Sequence, residues 1–352
     1  MSDSGLAGVA VMPKSIAEGV PGASPPLVSI SIITYNQAQW IRACVESALA
    51  QDYPNLEIVV ADDASTDGTR EIIQSVALEH VDVIKPVLSQ ANEGITRNSN
   101  KALRHCTGKY VALCAGDDLL LPGKIRKQVA WMEEDDRRVL VGHYVDVRNA
   151  TLDVSEGMYR TGLAGEQGVG CRSVVRHGAG STFLGSSVMV RRATLPPLGF
   201  DERMPIAADW KLIIDVIGES GEWGTVPEVL SIYRRHGGNS TLLRRRQIMD
   251  DTIRTLELVE SERSWLRAEA TPIRRLYEYA WNKQLFLDAD PGANKRTIAR
   301  AILRPPPGVP RWKATALLAA MCIGGKKLRD VLNAREARKG IGPPSHPLGV
   351  AT

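Results

Sequence analysis

Short apolar runs alternate with segments of helical spacing through the first 150 residues. Residues 27–34, LVSISIIT, are β-branched and almost wholly apolar, the pattern of a strand covered on both faces. After the loop YNQAQ, apolar residues recur at Ile41, Cys44, Val45, Ala48 and Leu49, one stripe of a helix. The cycle then repeats. LEIVVA (56–61) reads as strand and REIIQSVAL (70–78) as helix. A third strand is expected near Lys85–Leu88 and a helix over Thr96–Cys106. YVALCA (110–115) is a fourth strand. PGKIRKQVAWMEED (122–135) is a helix with Pro122 in its first turn. VLVGHYVDV (139–147) is another strand. This alternation predicts an α/β fold, a doubly wound, mostly parallel sheet with helices on both faces and right-handed crossovers.

Beyond residue 150 the pattern loosens. Glycines accumulate over 151–180, which reads as loops and short strands. One strand lies within STFLGSSVMVRR (181–192), a helix over 206–218, and a strand with a glycine turn in VLSIYRRHGGNST (229–241). Residues 244–290 carry apolar positions spaced in threes and fours, so a helical C-terminal extension is expected. RPPPGVP (304–310) interrupts it and a last helix follows over 311–339. The organisation predicted is a disordered leader over 1–26, one α/β unit over 27–241 with halves at 27–150 and 151–241, a helical region over 242–340 and a loose tail over 341–352.

Charge adds one asymmetry. The net charge is +4, but residues 240–352 carry 21 Lys and Arg against 11 Asp and Glu, so that this region stands at +10 and the rest at −6. A basic region on an acidic body points to an anionic partner: nucleic acid, a membrane surface and a lipid-linked phosphate all satisfy that, and so does a solvated arginine-rich face. The five cysteines include no C-x-x-C pair and read as reduced, buried thiols of a cytoplasmic protein. The late apolar run 314–323 is about half the ~20 residues a spanning helix needs.

In a doubly wound sheet, ligands bind beyond the carboxyl ends of the strands. Three polar clusters fall there: TYN (34–36), DDAS (62–65) and GDD (116–118). Two adjacent carboxylates at a buried strand end, Asp117 and Asp118, become tolerable when a divalent cation lies between them and a phosphate, the chemistry Mg²⁺ and Mn²⁺ favour. Capping of the next helix is the alternative. Asp62 and Asp63 suit a base or ribose contact, or an Asx-turn. No G-x-G-x-x-G follows the first strand and no P-loop occurs, so phosphate charge falls to a metal or to basic residues such as Arg97, Lys101 and Arg104. Asp209 opens an apolar-periodic helix, where it is either a general base or an anion stabilised by the helix N-terminus. His236 precedes two glycines that let it approach a metal or phosphate, or it is an ordinary surface histidine.

Together these motifs resemble the family 2 nucleotide-sugar glycosyltransferases of GT-A fold. SIITYN, VVADDASTDGT, NEGITRNSN, GDDLLLPGKI, AADW and YRRHGGNST occur in that family's order over about 28–241. The resemblance implies a Rossmann-like GT-A sheet and inverting, metal-dependent transfer of one sugar from a uridine or thymidine diphosphate sugar to an acceptor hydroxyl. It implies that Thr34, Tyr35 and Asn36 lie at the base, that Asp63 hydrogen-bonds it, that Arg97 lies near the diphosphate, and that Asp117 contacts ribose or metal. Asp118 and His236 are implied as ligands of Mn²⁺ or Mg²⁺, Gly185, Ser186 and Ser187 as the sugar-lining loop, and Asp209 as the catalytic base. The residue before the base is often Glu in this family and here is Ala208. The Q-x-x-R-W motif of processive membrane synthases is absent. The partners implied are a nucleotide-sugar donor, a glycan or lipid-linked acceptor in surface polysaccharide synthesis, and an anionic membrane met by the basic C-terminal region at its inner face; nucleic acid is not among them. A sugar nucleotidyltransferase is the rival reading, although its basic glycine-rich loop is missing after the first strand. A non-catalytic nucleotide-sugar-binding scaffold is the other.

Overall fold

The computed structural model describes residues 24–160, 167–179 and 183–287. Its strands are β1 (Val28–Thr34), β2 (Leu56–Asp62), β3 (Ile84–Leu88), β4 (Tyr110–Ala115), β5 (Leu119–Leu120), β6 (Arg138–Asn149), β7 (Ser155–Tyr159), β8 (Gln167–Val169), β9 (Met189–Arg191) and β10 (Glu222–Arg235). The helices are α1 (Ile41–Leu49), α2 (Thr69–Glu79), α3 (Ile95–His105), α4 (Lys124–Glu133), α5 (Arg172–His177), α6 (Asp209–Ile217), α7 (Ser240–Leu243), α8 (Arg245–Glu262) and α9 (Arg267–Leu287).

One sheet runs in the order β3-β2-β1-β4-β9-β6-β10-β5. β1 pairs in parallel with β2 on one side and β4 on the other, and β3 extends the edge in parallel with β2. The chain winds outward to β3 and returns to the far side of β1. The strand order therefore reverses between β1 and β4, and a crevice opens at their carboxyl ends. The parallel pattern expected holds in this half and again between β6 and β10. The short strands β5, β7, β8 and β9 join antiparallel. β5 and the length of β10 did not show in the sequence. β5 is only two residues long, and Gly224, Pro227 and register shifts interrupt the apolar run of β10.

Alternation along each strand feeds two cores, because successive side chains point to opposite faces. Ile58 and Val60 join Ile30, Ile32, Ile41, Val45, Ile73 and Ile125 beneath α1, α2 and α4. Val59 and Ala61 join the other layer with Ala102, Val111, Leu212, Ile214 and Trp223. That second layer continues into Leu256, Val259, Leu266 and Tyr277 of α8, the turn after it and α9. The segment expected to be helical over 244–290 is thus two helices broken at Ser264–Leu266, packed on the same core as α6. The leader through residue 23, part of the 161–180 loop, the break at 304–310, the helix over 311–339 and the tail over 341–352 lie outside the described residues. Among the described residues no helix is long and apolar enough to cross a membrane.

Candidate active site

The loops at the switch point lock one another. Thr34, at the end of β1, is buried and donates to Gln37 Oε1 at 2.7 Å. Gly116 faces it across the crevice; a Cβ there would lie 2.6 Å from Gln37 Oε1 and 2.9 Å from Thr34 Cβ, so the approach needs glycine. Asn36 adopts a left-handed conformation (φ 52°); its N–H donates to Ser65 Oγ at 2.8 Å and its Oδ1 accepts from Thr66 N at 2.9 Å. Tyr35 between them is 44% exposed, an open ring at the mouth. Asp62 accepts from the Ser65 N–H and hydroxyl, the Asx-turn that was the alternative for this pair. Asp63 is buried, and its two oxygens accept from Glu93 N at 2.9 Å and Gly94 N at 2.8 Å, which holds the β3–α3 loop against β2.

β5 pairs antiparallel with β10, which carries Asp117 and Asp118 to the carboxyl end of β10. There Asp117 Oδ2 lies 2.9 Å from His236 Nε2 and accepts from Asn239 Nδ2 at 3.3 Å. His236 Nδ1 accepts from Gly238 N at 3.1 Å. The Trp40 ring covers the imidazole with centroids 3.9 Å apart. Asp118 is deeper. Its Oδ1 accepts the Arg234 N–H at 3.0 Å and its Oδ2 accepts the Ser186 hydroxyl. Burial first, and the charge of Asp117 second, push its carboxyl well above the usual range, against the hydrogen bonds that lower it. Arg234 offsets little of this: its Nε donates to the Asp117 carbonyl at 2.9 Å and its Nη1 to the Ala150 carbonyl at 2.7 Å.

Two adjacent buried carboxylates form a local excess of negative charge, and the donor set of carboxylate oxygens and imidazole nitrogen fits a divalent cation. Among the described residues no three acidic, histidine or cysteine side chains already form a cage for one. The fit is therefore to an ion that takes other ligands from a bound phosphate, as Mg²⁺ and Mn²⁺ commonly do. The imidazole meets Asp117, and Asp118 turns inward to Ser186 and Arg234.

Asp209 begins α6. It is half-buried, and Oδ1 accepts from Trp210 N at 2.9 Å. Burial raises its carboxyl above the ordinary value, and the N–H groups at the helix start lower it in part. Burial first, and the charge of Asp209 second, raise the phenol of Tyr159 on β7. The loop into α6 is held from α8: the buried Asp251 Oδ2 accepts from Ile206 N and Ala207 N, both at 2.9 Å.

The remaining expected residues divide. Ser186 reaches the carboxylate cluster. Gly185 starts the same 3₁₀ turn, and the Ser187 hydroxyl donates back to Leu184 O while its carbonyl accepts from Gln128 Nε2. Arg97 is exposed and paired with Glu202 Oε2 at 3.1 Å. Trp40, Arg234, Asn239, Tyr159 and Asp251 were not foreseen. Arg234 and Asn239 lie inside YRRHGGNST, so that motif was the available signal. Asp251 sits in a helix as an ordinary polar residue, and no pattern marks it.

Residues 29–173 match the model of glycosyl transferase family 2. Over those residues, fewer than half of the chain, it is similar to that family. It is 39% identical over 119 residues to the inferred glycosyltransferase EpsE of Bacillus subtilis, covering 34% of this chain and 43% of EpsE. It is 40% identical over 110 residues to the inferred teichuronic acid biosynthesis glycosyltransferase TuaG of the same organism, covering 31% of this chain and 43% of TuaG. The matches span less than half the length of these curated relatives. Among solved structures, Staphylococcus aureus TarS 1-349 in complex with UDP-GlcNAc is similar at a TM-score of 0.57 and 18% identity, over 89% of this chain and 92% of that one. The mannosyltransferase PcManGT of Pyrobaculum calidifontis, in complex with GDP-Man and Mn²⁺, is similar at 0.56 and 22%, over 91% and 82%. At these identities the structural likeness concerns the fold.

Proposed function

We propose that this chain transfers one sugar from a nucleoside diphosphate sugar, with uridine or thymidine as the base, to an acceptor hydroxyl with inversion at the anomeric carbon, in the synthesis of a cell-surface or extracellular polysaccharide. The observation that carries this reading is the buried pair Asp117–Asp118 at the carboxyl edge of the sheet, with His236 on Asp117. Relatives support the class: TuaG is named for teichuronic acid biosynthesis, TarS holds UDP-GlcNAc, and PcManGT holds GDP-Man with Mn²⁺.

Each residue has a part in this reading. Tyr35, Thr34 and Asn36 receive the base. Each oxygen of Asp63 keeps a lone pair for a base N–H while it holds the β3–α3 loop. Gly185, Ser186 and Ser187 line the sugar. Arg97 serves the diphosphate by exchanging Glu202 for it. Asp117, Asp118 and His236 would hold Mn²⁺ or Mg²⁺. Such an ion supplies positive charge against that developing on the leaving diphosphate. Asp209 takes the proton from the acceptor hydroxyl; the oxygen then bonds to the anomeric carbon from the side opposite the diphosphate, whose bond to that carbon breaks. The raised carboxyl of Asp209 is closer to operating pH, which suits a general base. Absence of a proton donor for the leaving group costs nothing when its charge is compensated.

The test is thermal unfolding of the chain against a panel of nucleotide sugars with and without Mn²⁺, for wild type and Asp118→Ala. Stabilisation by uridine or thymidine diphosphate sugars that needs Mn²⁺ and vanishes in Asp118→Ala is expected. Equal stabilisation in the variant misplaces the site. Stabilisation without sugar release to water or acceptor would favour the scaffold.

A further inference from the structure

We propose that the rim of the sheet's carboxyl edge, built by α7 and the β6–β7 hairpin, docks on an anionic lipid bilayer. Leu242 and Leu243 in α7 are 42% and 69% exposed. They are followed by Arg244 and Arg245, both exposed and, among the described residues, in no ion pair. α7 is tied to the sheet by a 3.0 Å hydrogen bond between Tyr233 and Thr241 hydroxyls. Tyr233 and Arg235 stand on one face of β10, two residues apart. On that face Arg235 reaches Glu156 of β7 at 2.8 Å. Met158, two residues on in β7, is 47% exposed, and Val154 in the preceding turn 53%. Exposed apolar side chains and arginines thus lie on the elements that follow the carboxyl ends of the neighbouring strands β6 and β10.

That combination selects the partner. A single exposed leucine is ordinary, as Leu78 and Leu198 are here, with no arginine within two residues. A soluble polyanion would engage the arginines and leave the leucines in water. A bilayer interface takes both: apolar side chains enter the boundary of headgroups and chains, and arginines meet anionic headgroups, at roughly fivefold in binding per residue. The basic region recognised in the sequence is thereby narrowed, within the described residues, to a rim that begins four residues after His236. On the transferase reading, the donor cluster then opens toward the leaflet that would present a lipid-linked acceptor. The docking itself does not depend on that reading.

Sedimentation of the full chain with vesicles, without any donor, tests it. Phosphatidylcholine vesicles containing phosphatidylglycerol should bind the chain and pure phosphatidylcholine should bind it at least tenfold more weakly. Leu242→Glu with Leu243→Glu, and separately Arg244→Glu with Arg245→Glu, should each weaken binding to the anionic vesicles at least tenfold. Far-UV circular dichroism and the thermal midpoint should stay as in wild type. No preference for anionic vesicles overturns the proposal, and so does wild-type binding by either folded variant. Loss of concentration-dependent self-association in the leucine variant, with vesicle binding intact, would assign the rim to a second copy of the chain. If both variants fail to fold, the single Leu243→Ser variant, at the more exposed position, decides by the same measurement.

Discussion

At the residue scale, the chain places its carboxylates in three different electrostatic settings. Asp118 is buried beside Asp117 and pushed up. Asp209 is raised by burial at a helix start. Glu57, at the opposite end of the sheet, is pulled down. Asp209→Asn keeps the shape and removes the carboxylate proposed as the base. Transfer to acceptor is expected to fall roughly 10²–10⁴-fold, with donor affinity, read by calorimetry, unchanged; full activity in that variant would remove Asp209 from its part. Glu57 gives the pH prediction. Burial alone would raise its carboxyl, but Lys85 Nζ, the Ser29 hydroxyl and the Thr107 N–H and hydroxyl outweigh this and hold it at about 2, against 4.5 when free. Its folded value lies below its unfolded one. Its contribution is therefore full above about 4.5 and is lost as pH falls toward about 2. Glu57→Gln should lose about 3 kcal/mol in urea unfolding near pH 7, and the gap to wild type should close across that acid window. A gap independent of pH would mean that the hydrogen bonds, not the charge, matter.

Between elements, the important contacts are those that carry loops to the crevice. β5 has two residues, yet its pairing to β10 brings Asp117 and Asp118 to His236, Asn239 and Arg234. α8 does the same for Asp209, since Asp251 accepts two N–H groups from the loop that enters α6. Asp251→Ala leaves two donors without a partner, a cost of about 1–3 kcal/mol, and loosens the approach to Asp209. The expected result is a drop in kcat of at least tenfold with the donor KM unchanged, and recovery in Asp251→Asn, whose carbonyl oxygen can accept both bonds. A proportionate fall in donor affinity would instead mean that α8 shapes the nucleotide site.

For the whole molecule, the sheet separates two cores, and the helices after residue 244 are part of one of them. Ligand binding at the crevice therefore registers in global unfolding. A donor at one hundred times its dissociation constant should add about 2.7 kcal/mol to stability. For the donor proposed above, that gain should disappear on chelation of divalent ions in wild type.

The sequence by itself determined the first half of the sheet. The strands over 27–34, 56–62 and 110–115 are buried on both faces, and an unbroken β-branched run leaves few alternatives. It also brought TYN, DDAS and GDD to one edge, because strand ends follow from strand identity. The sheet's second half was less legible: β5, β8 and β9 have two or three residues each, too few for any period to show, and exist through their neighbours. The pairing inside the site was decided only by tertiary structure. Asp117 and His236 are 119 positions apart, and no local pattern tells which of two adjacent aspartates turns toward the imidazole. The antiparallel register of β5 on β10 decides it, facing Asp117 to His236 and burying Asp118 against Ser186 and Arg234.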